Sequence, residues 1–267
     1  MSESKVGKVS EPGEYDAGML ALLQIMWGEG FLSPGGAAEV AQLLEGSDIG
    51  GCHVLDIGCG LGAVDELLVR QHRAQSVVGI DIDPALIEAM KRRMERAGLA
   101  SRIRAQRVEP GPLPFPASSF DVVFSKDAIV QIPDKPAIFA EALRVLRPGG
   151  RFIASDWLRG GTGEYSAEMQ EFFRLEGLAY NMATLEESAA ALKAAGFVDI
   201  GIRDRHDWYL PLARRELESM QGPLHGLIVR EIGAERARHF IEDWRALVRV
   251  LERGELRPGH MKASKVA

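Results

Sequence analysis

The sequence predicts an α/β protein built on an open, doubly wound sheet. Three observations carry that prediction: short apolar runs alternate with helical stretches from Gly51 to Asp156, a glycine turn (Gly58, Gly60, Gly62) follows the first run directly, and an acid, Asp81, ends the second. The runs are Cys52 to Ile57, Ser76 to Ile82, Arg102 to Val108, Phe120 to Ser125 and Arg151 to Asp156. All but Arg102 to Val108 hold an apolar centre, as strands buried on both faces do, and helices between them make the sheet mostly parallel. The helix Pro84 to Ala97 is framed by a first-turn proline and a stop at Gly98. Further on, a helix Leu185 to Ala195 with its Gly196 stop, a strand Phe197 to Ile202, and a terminal strand in "GHMKASKV" bring the expected sheet to seven strands, Rossmann-like in outline.

Around this core the spacing predicts an amphipathic helix from about Tyr15 to Trp27 and a short helix after Pro34, joined by the glycine-rich loop Gly28 to Gly36. A helical stretch from Ala167 to Tyr180 and a helical block from about Pro211 to Arg253 interrupt the later rhythm. The 267 residues, 46% hydrophobic and 26% charged, suffice for one core without staples. Cys52 and Cys59 have neither zinc-site nor C-x-x-C spacing, so a reducing compartment and no metal are expected. Met1 to Glu14 lacks a signal-peptide core and no apolar run reaches the ~18 residues of a membrane span, so a cytoplasmic protein without a membrane partner is expected. A net charge of -6 argues against nucleic acid as partner. The arginines from Arg230 to Arg257 alternate with glutamates and read as a solvated helix face.

Without side chains, Gly58, Gly60 and Gly62 let the backbone approach a nucleotide closely. Asp56, two residues before them, suits a cation better than a phosphate, and Asp81 stands where an acid accepts both ribose hydroxyls. Together they fit an adenosine that carries a sulfonium and an ammonium group. An ordinary tight turn and a helix cap are the plain alternatives.

Five motifs in order, "VLDIGCGLG", "VGIDIDP", "LPFPASSFDVVFS", "LRPGGRFIASD" and "LKAAGF", resemble the class I S-adenosylmethionine-dependent methyltransferases over roughly Gly51 to Ile202. The resemblance implies that fold, with S-adenosylmethionine as cofactor and S-adenosylhomocysteine as product. It implies a cofactor site of Tyr15, Ser33, Asp56, Gly58, Gly60, Gly62, Asp81, Ile82, Glu109 beside the adenine, and Asp127. One methyltransferase domain over 1–267 is expected: an N-terminal helical lid (1–50), a nucleotide-binding core (51–157), and insertions at 158–183 and 207–253 forming a substrate cap.

The segments "YDAGMLALLQIMWGEGFLSPGG", "FSKDAIVQI", "SDW", "YNMATLEE" and "GHMKASK" are further similar to the phosphoethanolamine methyltransferases, which methylate an amine stepwise. In that family a tyrosine closes over the donor and pairs with a histidine; here these positions read Tyr15 and Gln131, the expected catalytic pair. The family's phosphate-holding arginine and lysine fall on Leu178 and Leu247, leaving Arg174, Arg203, Lys262 or Lys265 to replace them. Trp157, Arg174, Tyr180 and His260 are the expected substrate contacts, His225 is a further candidate, and Trp27, Phe172, Phe173 and Trp208 read as cap core. The acceptor is expected to be a small polar metabolite methylated on an amine nitrogen. A thioether or thiol acceptor such as methionine, which needs no base, and a silent S-adenosylmethionine-binding protein remain as alternatives.

Overall fold

A computed structural model describes residues 13–178 and 180–267. The first twelve residues of the expected lid segment, and residue 179 in the stretch Ala167 to Tyr180, lie outside the described residues. The strands are β1 (His53–Ile57), β2 (Ser76–Asp81), β3 (Ile103–Arg107), β4 (Phe120–Lys126), β5 (Leu146–Arg159), β6 (Val198–Asp204) and β7 (Leu256–Ser264). The helices are α1 (Ala17–Trp27), α2 (Gly36–Leu44), α3 (Ala63–Arg70), α4 (Pro84–Arg96), α5 (Lys135–Val145), α6 (Ala167–Glu176), α7 (Leu185–Ala195), α8 (His206–Gln221), α9 (His225–Ile232) and α10 (Ala234–Glu252).

The seven strands form one sheet in the order β3-β2-β1-β4-β5-β7-β6. The pairings from β3 to β5 are parallel, and β7 lies antiparallel between β5 and β6. The chain runs outward from β1 to β3 and then returns to start β4 on the other side of β1. That reversal opens a crevice at the strands' C-terminal ends.

Side-chain alternation divides the core between the two faces. Val54, Val122 and Phe124 meet α2, α3 and α4 on one side, while Leu55, Ile57, Val123 and Phe152 meet α5 and α7 on the other. A third core lies apart from both, where Leu22 and Leu23 of α1, Met169, Phe172 and Phe173 of α6, Tyr209 of α8, Ile228 of α9 and Trp244 and Leu251 of α10 pack together. Each large side chain sealed in this way contributes roughly 1.5–3 kcal/mol.

Helix starts follow local chemistry. Asp16 accepts from the Gly18 and Met19 N–H groups, and Asp83 from Ala85 with Pro84 in the first turn; Thr184 and Glu187 form a reciprocal capping box. The expected block from Pro211 to Arg253 is three helices, and it begins five residues earlier, at His206. Proline reads as a first-turn residue, but the Asp204 carboxylate accepts from the His206 N–H at 2.8 Å and opens the helix ahead of it, leaving Pro211 inside. Strand β5 also exceeds its expected span, because β7 pairs with it from Arg151 to Arg159. Among the described residues no helix is long and apolar enough to cross a membrane.

Candidate active site

The crevice at the sheet reversal is a cavity of about 740 Å³. Its floor is the turn after β1. Gly58 has φ +79°, and a Cβ built on it would stand 2.1 Å from the Cβ of Ala128; Gly62 has φ +81° and precedes the first turn of α3. Side chains are excluded there by both backbone angle and space, which leaves an open cradle beneath a helix N-terminus.

Three carboxylates surround the turn. Asp81, at the end of β2, accepts from the Gly60 N–H at 3.1 Å and the Asp83 N–H at 3.0 Å, one on each oxygen, which leaves lone pairs on both. Burial raises its pKa. Beneath it, Asp56 and Asp65 are buried, and Asp56 Oδ1 and both Asp65 oxygens have no hydrogen-bond donor. Burial and then the charge of Asp65 push Asp56 well up, while burial pushes Asp65 to about 7. Two such groups are stable side by side only with a proton between them.

This pair makes a prediction about stability. The folded chain holds the Asp65 proton up to about pH 7, whereas the unfolded carboxyl releases it near 3.8. Stability from this group is therefore complete below pH 3.8 and is lost as pH rises toward 7. Urea unfolding at pH 5 and pH 8 should show wild type losing stability at the higher pH, with Asp65→Asn reducing that loss by on the order of 1 kcal/mol or more. An equal loss in the variant would remove the shared proton from this account.

The N-terminal segment crosses the crevice. The Gly13 N–H donates to Asp83 at 2.8 Å, and the Tyr15 hydroxyl sits 3.5 Å from Gln131 Nε2, a weak contact. Burial, followed by the charges of Glu176 and Asp81, raises the Tyr15 phenol above its ordinary value. The loop Gly28 to Gly36 is fastened by Lys126, whose ammonium donates to Ser33 Oγ at 2.8 Å, the Pro34 carbonyl at 3.1 Å and Asp127 Oδ2 at 2.7 Å. Asp127 has φ +57° and takes a second bond from the Ser155 hydroxyl at 2.9 Å, so a strained backbone and a buried ion pair meet at one point. The neighbouring 3-10 turn Ile129–Gln131 is held by Asp156, which accepts from the Val130 N–H, and by Lys135, which donates to the Ile129 and Ile132 carbonyls.

A second cavity of about 70 Å³ adjoins the first, under α1, α6, α8 and α10. The two share Tyr15, Leu32, Ser33, Asp127 and Gln131 in their walls. The smaller one is walled by Trp157, Tyr180, Tyr209 and Trp244, and Glu176 and Asp243 also face it. Its rings are pinned by the buried Glu216, which accepts from Trp27 Nε1 at 2.7 Å, Trp244 Nε1 at 3.2 Å and the Tyr209 hydroxyl at 3.5 Å.

Asp56, Gly58, Gly60, Asp81, Ile82 and Glu109 thus line the larger cavity, Tyr15, Ser33, Asp127 and Gln131 line both, Trp157 and Tyr180 line the smaller, and Gly62 is in neither wall, a Cβ built on it standing 2.7 Å from Met90 Cγ. Glu109 lies at the rim, its side chain 74% exposed and paired with Arg107 at 2.7 Å. Other expectations are corrected. Arg174 points to solvent and pairs with Glu171 across one turn of α6. His260, 3% exposed, bonds Glu39 at 2.6 Å in a network where Arg205 also grips Glu39, so it ties β7 to α2 rather than facing the smaller cavity. His225 is exposed on α9. Arg203 pairs with Glu45, Lys262 donates to the Glu45 carbonyl, and Lys265 to the Leu143 and Leu146 carbonyls; none reaches either cavity. Trp27 and Phe172, expected only as core, also line the smaller cavity. Lys126, Glu176 and Asp243 were not anticipated.

Known proteins are similar to this chain in sequence and fold. Residues 55–154 match the family model described as a methyltransferase domain. The chain is 32% identical to phosphoethanolamine N-methyltransferase 1 of Arabidopsis thaliana over 210 residues, 78% of this chain and 41% of that protein. It is 35% identical to the sterol 24-C-methyltransferase of Aspergillus fumigatus over 176 residues, 61% of this chain and 46% of that one. The chain thus spans less than half the length of these curated relatives. Phosphoethanolamine N-methyltransferase 2 of Haemonchus contortus, solved with phosphomonomethylethanolamine and S-adenosylhomocysteine, superposes with a TM-score of 0.86 at 21% identity, covering 95% of this chain and 59% of that one. The glycine cradle, its acids, the sheet order and these likenesses agree: the chain carries a class I S-adenosylmethionine-dependent methyltransferase domain that resembles those of the phosphoethanolamine N-methyltransferases.

Proposed function

We propose that the protein transfers a methyl group from S-adenosylmethionine to the amine nitrogen of a small polar metabolite, with the donor in the larger cavity and the acceptor in the smaller. The observation that carries this reading is the shared wall of Tyr15, Ser33, Asp127 and Gln131, which lets the two molecules meet. When bound, S-adenosylmethionine supplies an activated methyl group on a sulfonium.

The protein's part is placement. Asp81 would accept the ribose hydroxyls, the cradle of Gly58, Gly60 and Gly62 would admit the backbone-hugging part of the donor, Asp56 would support it, and Ile82 and Glu109 would flank the adenine. Lys126 keeps Ser33 and Pro34 against β4, so the loop Gly28 to Gly36 forms a lid that excludes water. Methyl transfer spreads charge rather than creating it, and orientation of two reactants is worth roughly 7–11 kcal/mol. With its phenol kept neutral, Tyr15 orients and does not act as base, and Gln131 offers it only a weak amide contact. Lack of a base at that pair is the one feature that favours the sulfur-acceptor reading.

S-adenosylhomocysteine release in a screen of small amines, thiols and thioethers tests the proposal: turnover confined to sulfur acceptors, or absent with every acceptor, defeats it. Tyr15→Phe is expected to lower kcat roughly tenfold, the scale of one orienting hydrogen bond, with S-adenosylhomocysteine affinity nearly unchanged. Wild-type turnover in that variant would make the N-terminal segment a packing element only.

A further inference from the structure

The smaller cavity has a charge pattern that methyl transfer alone does not require. Glu176 ends α6, Asp243 lies in the middle of α10, and the two helices pack on each other. Asp243 is 5% exposed, faces the cavity, and its Oδ1 has no hydrogen-bond donor. Glu176 accepts from the Leu178 N–H at 3.2 Å and from the Tyr180 hydroxyl. Burial pushes Glu176 up to about 7; burial and then the charge of Glu176 raise Asp243 as well. Among the described residues no lysine, arginine or histidine is in the wall.

An unpaired carboxyl beside a second one in an apolar cavity is costly when ionised, and it becomes favourable when a cation arrives to neutralise it. The wall around the pair consists of rings, Trp157, Phe172, Tyr180 and Trp244, whose faces attract cations too. A phosphate or carboxylate in the same space would meet three acids, Asp127 among them, and no positive partner among the described residues of the wall. A neutral apolar acceptor would leave Asp243 Oδ1 bare. The volume of about 70 Å³ is less than half the about 150 Å³ that holds benzene in an engineered core, so the guest is small.

Resting on the reading that this cavity receives the acceptor, the geometry points to a small cationic amine without phosphate or carboxylate as the acceptor class, with Glu176 and Asp243 as the pair that selects it. They determine specificity through Asp243 Oδ1, which has no donor, and the remaining lone pairs of Glu176, which accept from the ammonium N–H groups; one N–H proton passes to this pair, so that a neutral nitrogen attacks the sulfonium methyl and S-adenosylhomocysteine leaves.

The test uses the full chain. Turnover of ethanolamine, N-methylethanolamine and N,N-dimethylethanolamine is compared with that of phosphoethanolamine and glycine. Calorimetry measures tetramethylammonium, a cation with no site for a further methyl group, in the presence of S-adenosylhomocysteine. The unphosphorylated amines should exceed both anionic counterparts at least tenfold in kcat/KM. Asp243→Asn and Glu176→Gln, two isosteric changes checked for an unaltered thermal midpoint, should raise KM and the tetramethylammonium Kd at least tenfold and leave S-adenosylhomocysteine affinity alone. Preference for phosphoethanolamine or glycine, or unchanged constants in both variants, would overturn the acidic pair while leaving amine methylation standing. Tetramethylammonium binding that depends on the pair, without turnover of any amine, would support the selection of cations and defeat the transfer reading instead.

Discussion

Gly58→Ala is expected to lower stability by roughly 2–5 kcal/mol and to weaken S-adenosylhomocysteine binding at least tenfold. Two costs add. A left-handed backbone, here φ +79°, disfavours any residue with a Cβ by roughly 1–2 kcal/mol, and forcing a methyl group into a filled space costs typically 1–3 kcal/mol. The space is filled because the new methyl would stand 2.1 Å from the Cβ of Ala128. Ala128 cannot retreat alone: it connects Asp127, held by Lys126 and Ser155, to the turn that carries Gln131. The strain therefore passes from the donor cradle to the junction with the acceptor cavity. Adding Ala128→Gly should restore part of both losses, because it removes the clash but not the backbone cost. Calorimetry and urea unfolding on the single and double variants read both quantities; normal binding in Gly58→Ala would end the assignment of this turn as the donor cradle.

The lining of the larger cavity was legible in the sequence for a physical reason. Its groups come from one short stretch, Asp56 to Gly62, and from the ends of two neighbouring strands, so strand spacing alone brings them together. Parallel strands buried on both faces announce themselves by apolar centres, which is why the expected spans of β1, β2, β4 and the core of β5 agree with the fold within a residue or so. The position of β7 between β5 and β6 was not legible, since it depends on pairing across about a hundred residues and leaves no local mark.

The smaller cavity was harder, being assembled from α1, α6, α8, α10 and the ends of β4 and β5. Polar heads are a poor guide there: Arg174 and His260 both carry one, and the fold turns the first to solvent and the second to Glu39. A usable signal did exist. Phe240, Asp243 and Leu247 lie three and four residues apart, as do Phe172, Phe173 and Glu176, so both acids stand on the apolar stripe of their helices. An acid on a buried stripe requires a partner, and a ligand is one candidate for it. Lys126 is a different case: nothing local tells that a lysine at a strand end will reach back more than ninety residues to Ser33.

The expectation for Asp81→Ala separates direct recognition from scaffolding. Its carboxylate accepts from the Gly60 and Asp83 N–H groups, so the side chain shapes the glycine turn and the start of α4 as well as facing the donor cavity. Loss of a charged acceptor from a donor's ribose is worth ~1.5–3 kcal/mol, roughly 10- to 150-fold in the Kd for S-adenosylhomocysteine. A turn that merely loosened could weaken binding as well, so the size of the loss does not decide between the two. The ligand does. Wild type should bind the analogue of S-adenosylhomocysteine without ribose hydroxyls 10-fold or more weaker than S-adenosylhomocysteine itself, whereas Asp81→Ala should distinguish the two ligands little. That difference is a coupling free energy between side chain and hydroxyls, on the order of 1 kcal/mol or more for groups in contact. If the variant loses the same factor for both ligands, Asp81 acts only through the turn, and the ribose must find its acceptors elsewhere along the rim.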